Sequence, residues 1–320
     1  MSLRIASLLP SATEIVCAVG AEAELVGISH ECDFPDGVRG LPALTRARLH
    51  AVRGSRAIDQ DVRSILQQAL AVYEIELAQL ELARPDVIVT QDLCDVCAVS
   101  FSDVCAAAAT LVHQPAKIVN LHPMRLNDIW DDILRVAEAL GRASKGTEVI
   151  AALQRRVSDI ARRSAGVVDR PRVVSIEWLD PVMISGMWMP ELIERAGGIP
   201  LGTTPGDHAP TVTKETLRGL NPDVVVINPC GFPLDRTLDE LPLLRTALPW
   251  DTWPAALNGR VYAVDGNAYF NRPGPRIVES LEILAACVHP KAFEDFRQKH
   301  LGSVVRIDDS LSQHRDSSEE

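Results

Sequence analysis

Between His122 and about Ala165, apolar residues recur at Leu126, Ile129, Trp130, Ile133, Leu134, Ala137 and Leu140, with Asp128, Asp131, Asp132, Arg135 and Glu138 between them. This three-and-four spacing predicts an amphipathic helix with one wet side. Pro123 stands where a helix can begin, and Gly141 and Gly146 are expected to break the run into two helices. Material of like design flanks it. Residues 78–90 read AQLELARPDVIVT, and residues 215–227 read ETLRGLNPDVVVI. Each is a short helical stretch, a Pro-Asp step (Pro85-Asp86, Pro222-Asp223) and a wholly apolar run rich in β-branched residues, the mark of a strand buried on both faces. A second matched pair, Arg4-Ile-Ala-Ser-Leu8 and Arg172-Val-Val-Ser-Ile176, opens each half. The pattern predicts an α/β chain of two Rossmann-like lobes bridged by a long α-helix. The first lobe is placed at 1–122, the bridging helix and connector at 123–165, the second lobe at 166–290 and a C-terminal extension at 291–320, polar from about Ile307.

In open α/β sheets, ligands bind beyond the carboxyl ends of the strands, so the loops there are read for chemistry. Strand Arg4–Leu9 runs into Pro10-Ser-Ala-Thr-Glu14, where Ser11 and Glu14 have capping-box spacing and the helix start should line a cleft. Strand Leu25–Ser29 leads to His30-Glu-Cys-Asp-Phe-Pro35, a loop dense in potential metal donors. Residues 57–66 have helical spacing, and residues 72–76 read as an extended piece before the next helix. Strand Val87–Thr90 leads to Gln91-Asp-Leu-Cys94-Asp-Val-Cys97. That Cys-x-x-Cys spacing suggests redox or metal work, although a four-cysteine zinc site would need a second close pair. The plain alternative is cysteines packing a loop. Aromatics make up only 4% of the chain. Yet Trp178 and Trp188 stand in loops with glycine and proline, and Tyr269 and Phe270 stand in the polar stretch from Asp265 to Arg276. Such residues suit a flat, partly apolar ligand, or a loop folded on itself.

At 320 residues and 47% apolar content, the chain can fill two cores. A net charge of −11 without a basic block argues against nucleic acid and anionic membrane partners. No apolar run approaches the roughly 20 residues of a membrane span, so no membrane insertion is expected. Met-Ser-Leu before the first strand leaves no room for a secretory leader, so as written the chain is expected in the cytoplasm. An exported chain whose leader had been removed would read the same way. Seven cysteines, an odd number, suit a reducing compartment or a site better than a disulfide framework. No Ser-His-Asp order, phosphate loop or His-Glu-x-x-His appears, which weakens hydrolase and nucleotide readings.

Taken in order, Ser7-Leu-Leu-Pro-Ser-Ala-Thr-Glu14, Val26-Gly-Ile-Ser29 with Asp33-Phe-Pro35, Arg84-Pro-Asp86, Pro222-Asp223 and Tyr269-Phe-Asn-Arg-Pro-Gly-Pro-Arg276 resemble the cobalamin-binding substrate-binding proteins of ABC importers. These belong to a wider group of metal-chelate receptors that also binds ferric siderophores and haem. The resemblance covers roughly residues 3 to 290. It implies the class III periplasmic-binding-protein fold, little hinging, no catalysis and no catalytic cofactor. It also implies cobalamin or a related corrinoid bound between the lobes. The implied contacts are Pro10, Ser11, Ala12, Thr13, Glu31, Cys94, Trp178, Trp188, Tyr269, Phe270, Asn271 and Arg272, with Cys94, Cys97 and Cys32 as candidate metal-binding thiols. An ABC permease is the implied partner, docked through one glutamate per lobe in the short helix before Pro-Asp. Glu215 stands seven residues before Pro222, but Ala78 holds the matching place before Pro85. Two alternatives stay open: a receptor for haem or a ferric siderophore, and a Cys-x-x-Cys redox or metal enzyme.

Overall fold

In the computed structural model of the chain, which describes residues 2–48, 54–67, 72–92, 100–109 and 115–307, Arg4 and Arg172 open the two lobes in the same way. The backbone N–H of each donates to the aspartate of its lobe's Pro-Asp step, Arg4 to Asp86 and Arg172 to Asp223, at 2.9 Å in both. Each aspartate's own N–H returns a 2.8 Å bond to that arginine's carbonyl. The residue before each proline, Arg84 (φ +43°) and Asn221 (φ +48°), takes the left-handed backbone that ends the helices Leu77–Ala83 and Lys214–Leu220. The sequence repeat is thus a repeated way of turning a helix into a buried strand.

The first sheet runs Leu25–Ile28, Ile5–Ser7, Val87–Gln91, Lys117–Leu121, all parallel. The second runs Val304–Ile307, Val261–Val264, Val224–Ile227, Arg172–Leu179, Val182–Ile184, with its two outer strands antiparallel; Ile199–Pro200 pairs beside Arg172. Val87–Gln91 and Val224–Ile227 therefore lie in separate sheets, as the paired units require. The last strand runs to Ile307, which is buried, so regular structure continues to the point where a polar tail was expected to begin.

Helices Leu126–Ala139 and Ala143–Ala165 are separated at Gly141, whose φ of +70° few other residues adopt. Gly146 breaks nothing. It lies inside the second helix, where a Cβ would stand 2.5 Å from that of Ala137, so its bareness lets the two helices touch. The first helix lays Ile129, Ile133 and Val136 on the first sheet's core, which holds Val89, Val119 and Leu121. The second, 23 residues and about 34 Å long, packs on Ile277–Val288 of the second lobe. Within the stretch 123–165, Ala143–Ala165 is therefore the helix that reaches the second lobe. Every residue of Ile277–Val288 except Glu279 is buried. One apolar cluster runs from Ile5 and Val89 through Leu153, Val157 and Ile160 to Val173, Leu281 and Leu284. A core shared across both lobes resists their opening.

A third piece joins the lobes. Strands Thr45–Ala47 and Tyr73–Ile75 pair antiparallel on the first lobe, and the chain between them carries helix Ser55–Gln67. Ile58 of that helix is buried in the second lobe's core with Ile176, Leu179 and Phe232.

Candidate functional site

The carboxyl ends of the first sheet carry Pro10, the loop from His30, Asp92 and His122; those of the second carry Trp178–Asp180, Asn228–Phe232 and Asp265–Arg276. These two edges meet in three places, which frame the cleft.

In the first, the loop Asp265–Arg276 is bonded to the first lobe. Arg272 Nη1 reaches Asp33 Oδ1 at 2.5 Å, and Arg276 grips Glu14 with two bonds of 2.6 and 3.0 Å. Burial pushes the Glu14 carboxyl upward, and the two guanidiniums only partly oppose it. Burial acts the same way on Asp33, but there the bond and charge of Arg272 win and hold it below its usual range. Gly274 passes so close that a Cβ would lie 3.3 Å from the Ser11 carbonyl oxygen. Ser11, expected at a ligand, is therefore buried under this loop; Ala12 is buried in the core and Thr13 against Ser7 and Cys32, and only Pro10 keeps partial exposure. The expected capping box does not form. Helix Pro10–Ala18 starts at its proline, Leu9 is its N-cap without a side-chain bond, and Glu14 turns to the arginines.

In the second, helix Ser55–Gln67 straps the lobes together. The Ser55 N–H donates to both carboxylate oxygens of Glu240 at 2.8 and 3.1 Å, and Arg56 Nε donates to Asp180 at 2.6 Å. Between strap and second lobe lies a cavity of about 590 Å³, lined by Gly54–Ala57, Gln60, Asp180, Asp239, Glu240, Pro242 and Leu243. In the third, the Leu126 N–H donates to Glu191 at 2.8 Å, with Arg125 beside it at 3.6 Å.

The expected aromatic walls divide. Trp188 and Phe270 are core residues, 5% and 0% exposed, and the Trp188 indole N–H bonds the Phe270 carbonyl at 2.9 Å. A tryptophan heading a helix and a phenylalanine in a loop can both fold inward, so loop position alone does not make a wall. Tyr269 is half-buried, edge-on to His300 and under the Arg276 guanidinium. Trp178 is half-buried and edge-on to Phe232, and its buried indole N–H has no partner among the described residues. Asn271 gives its amide hydrogens to the Asn228 and Gly266 carbonyls, and Arg272 is committed to Asp33, so both hold the loop. Glu31 is exposed and accepts from Tyr73 at 2.7 Å.

Cys94 and Cys97 lie outside the described residues. Cys32 is 7% exposed and 3.1 Å from Thr13 Oγ1, and burial pushes its thiol up to about 11, so it stays neutral and is a poor ligand. Among the described residues no cluster of three donors could hold a free metal ion. Glu215 stands exposed in the first turn of Lys214–Leu220, its carboxyl held low by its own backbone N–H and the Thr213 hydroxyl. Ala78 is exposed on Leu77–Ala83 in company with Leu77 and Leu82, 54% and 72% exposed, and with Gln79 and Glu81, so the corresponding first-lobe surface is mixed, with its carboxylate at Glu81 rather than at position 78.

Sequence reading passed over one pair. His122, taken as the head of the helical run, ends strand Lys117–Leu121 with Nδ1 2.6 Å from Asp92 Oδ1. The signal was the run Lys-Ile-Val-Asn-Leu just before it, with two adjacent β-branched residues.

Residues 5–268 match the family model described as periplasmic binding protein. The uncharacterized ABC transporter substrate-binding lipoprotein YvrC of Bacillus subtilis is 23% identical over 298 residues, 91% of this chain and 82% of that protein. Among solved structures, the periplasmic haem-binding protein RhuT of Roseiflexus superposes with a TM-score of 0.67 at 20% identity, over 91% of this chain and all (100%) of that one. The periplasmic vitamin B12 binding protein BtuF of Vibrio cholerae superposes at 0.63 with 19% identity, over 90% and 97%. At these identities the likeness carries the two-lobe fold. These findings also correct the expected cytoplasmic location, because the relatives are a lipoprotein and periplasmic proteins, working outside the cytoplasm.

Proposed function

We propose, because this chain belongs to the periplasmic binding protein family, that it captures cobalamin or a related corrinoid in the cleft between its lobes, outside the cytoplasm, and delivers it to an ABC permease. The family is one of binding proteins, not enzymes. The relatives that bind haem and vitamin B12 bracket the ligand as a flat metal chelate. What favours a corrinoid within that bracket is the charge of the cavity. Asp180, Asp239 and Glu240 line it, and the arginine on its lining, Arg56, is already paired with Asp180. A haem edged with carboxylates, or an anionic siderophore, meets repulsion there, whereas a corrin is edged with neutral amides. An amide carbonyl would also answer the unpartnered Trp178 indole N–H.

Of the contacts expected at the ligand, Pro10, Glu31, Trp178, Tyr269 and Asn271 keep exposed surface; Asn271 is tied into its own loop, and the other four are retained in the proposal. Docking rests on Glu215, with a first-lobe contact through the exposed Leu77, Ala78 and Leu82 beside Glu81. The test is to mix the purified, reduced protein separately with cobalamin, haem and a ferric siderophore, desalt, and record visible spectra. Cobalamin colour should travel with the protein and the other two should be lost. Retention of haem but not cobalamin would replace the corrinoid by a porphyrin, and retention of none would remove the chelate reading.

A further inference from the structure

His122 and Asp92 are brought together by strand register. Gln91 lies opposite Leu121 in the parallel pair, so the next residues, Asp92 and His122, face each other at the carboxyl edge of the first sheet. Period-two alternation puts Thr90 and Asp92 on one face of their strand, and Asn120 and His122 on the matching face of the next. Asp92 Oδ1 stands 2.6 Å from His122 Nδ1, and the Asn120 side chain also bonds that carboxylate. An ionised carboxylate only accepts, so the hydrogen of this bond sits on Nδ1 and the lone pair of the neutral ring sits on Nε2. The His122 side chain is 55% exposed. Arg125, three residues on, reaches Glu191 of the second lobe, so this strand end borders the cleft. Behind the pair, on the same face, the fully buried Thr90 hydroxyl and the Asn120 amide oxygen have no partner among the described residues. A surface ion pair needs neither the fixed tautomer nor unfilled polar groups behind it.

We propose that His122 is the axial ligand to the metal of the bound tetrapyrrole, with Asp92 as the residue that positions its ring. The inference rests on the cleft being the chelate site. The step is ligand exchange. A metal–water bond breaks, a metal–Nε2 bond forms from the imidazole lone pair, water leaves, and neither metal nor protein changes oxidation state. No three-donor set is needed, because the macrocycle supplies the other ligands. Neutral imidazole suits both cobalt and iron, so the corrin and porphyrin sources share this chemistry and are separated by experiment.

The probes are aquocobinamide, a corrin without its own nucleotide base, and ferric haem. Wild-type protein should retain aquocobinamide and shift its visible bands. Reduced to cobalt(II), the complex should show an electron paramagnetic resonance splitting from one protein nitrogen, and that splitting should change when the histidines carry the heavy nitrogen isotope. His122→Ala should lose the splitting and bind at least about tenfold more weakly, with an unchanged urea midpoint. Asp92→Asn should keep the splitting and weaken binding about tenfold, the scale of a lost ligand-orienting partner. Aquocobinamide retained by wild type without a nitrogen splitting would overturn the inference and leave the corrinoid reading standing. If only ferric haem is retained, with an imidazole spectrum that His122→Ala abolishes, the inference stands and the corrinoid reading falls. Retention of neither probe would overturn both.

Discussion

Replacing Arg276 by methionine should destabilise the protein by about 3 kcal/mol through the contact between the lobes. The Glu14 side chain is 2% exposed, and Arg276, itself 13% exposed, gives it two bonds of 2.6 and 3.0 Å. Removing one partner of such a pair strands a buried charge, at roughly 3–5 kcal/mol. Arg272 remains 3.5 Å from Glu14 and keeps part of the attraction, which lowers that figure to ~2 kcal/mol. The Arg276 guanidinium also lies 4.1 Å from the centre of the Phe34 ring, worth about another 0.5–1 kcal/mol. Methionine fills much of the volume, so little of the loss comes from a cavity. The assay is urea unfolding at neutral pH of wild type, Arg276→Met, Glu14→Gln and the double variant. The neutral amide at position 14 removes the stranded charge, so the double variant should recover ~2 kcal/mol relative to the sum of the singles. A single-variant loss under about 1 kcal/mol, or strict additivity in the cycle, would refute the reasoning, because the contact would then behave as a solvated surface pair.

Loosening the strap should show in kinetics. Glu240→Ala removes the charged acceptor of the Ser55 N–H, worth ~1.5 kcal/mol or more, and should speed cobalamin release about tenfold in a chase experiment; an unchanged off-rate would detach the strap from ligand exchange. Glu282 accepts from Arg156, Lys299 and His300, each at 2.6–2.8 Å, and these bonds outweigh burial and hold its carboxyl at about 2. A depressed acid stabilises above its unfolded value near 4.5 and loses that contribution as pH falls from there toward 2. Wild type should therefore lose ~2 kcal/mol over that window, discounted because Arg156 and Lys299 stand partly in water, while Glu282→Gln flattens this part of the stability curve. Trp188→Ala should cost about 3–5 kcal/mol of stability as a core deletion, whereas Trp178→Ala should cost affinity, ~2 kcal/mol by calorimetry, with a smaller change in stability.

What was legible in the sequence is what depends on neighbours along the chain. The runs after Pro85 and Pro222 are β-branched because their strands are covered on both faces, and the Pro-Asp steps mark where each strand begins. The three-and-four spacing of Leu126 to Leu140 found a helix and the face it buries. The second half, Ala143–Ala165, has a weaker apolar stripe, yet that half reaches across to the second lobe. The strand Val304–Ile307 escaped because an edge strand with Arg306 outward looks like the beginning of a polar tail.

The site was harder to read, because its geometry is set by partners far apart in the chain. Arg272 and Asp33 are 239 residues apart, Arg276 and Glu14 are 262, and Ser55 and Glu240 are 185. No local pattern separates Arg272, tied to Asp33, from an arginine free to hold a ligand. The aromatic reading failed at Trp188 and Phe270 for the same reason: whether a loop aromatic turns inward depends on the loop that covers it, and here each covers the other. Carboxylates at Asp180, Asp239 and Glu240 gather on one wall because the strand ends of the second sheet and the helix beyond it converge there, beside Arg56. On the proposed reading, a chelate edged with carboxylates meets repulsion at this wall. On the same reading, the apolar face of a corrin and the lone pair of His122 take the place of the charged anchor that a carboxylate-edged haem would need.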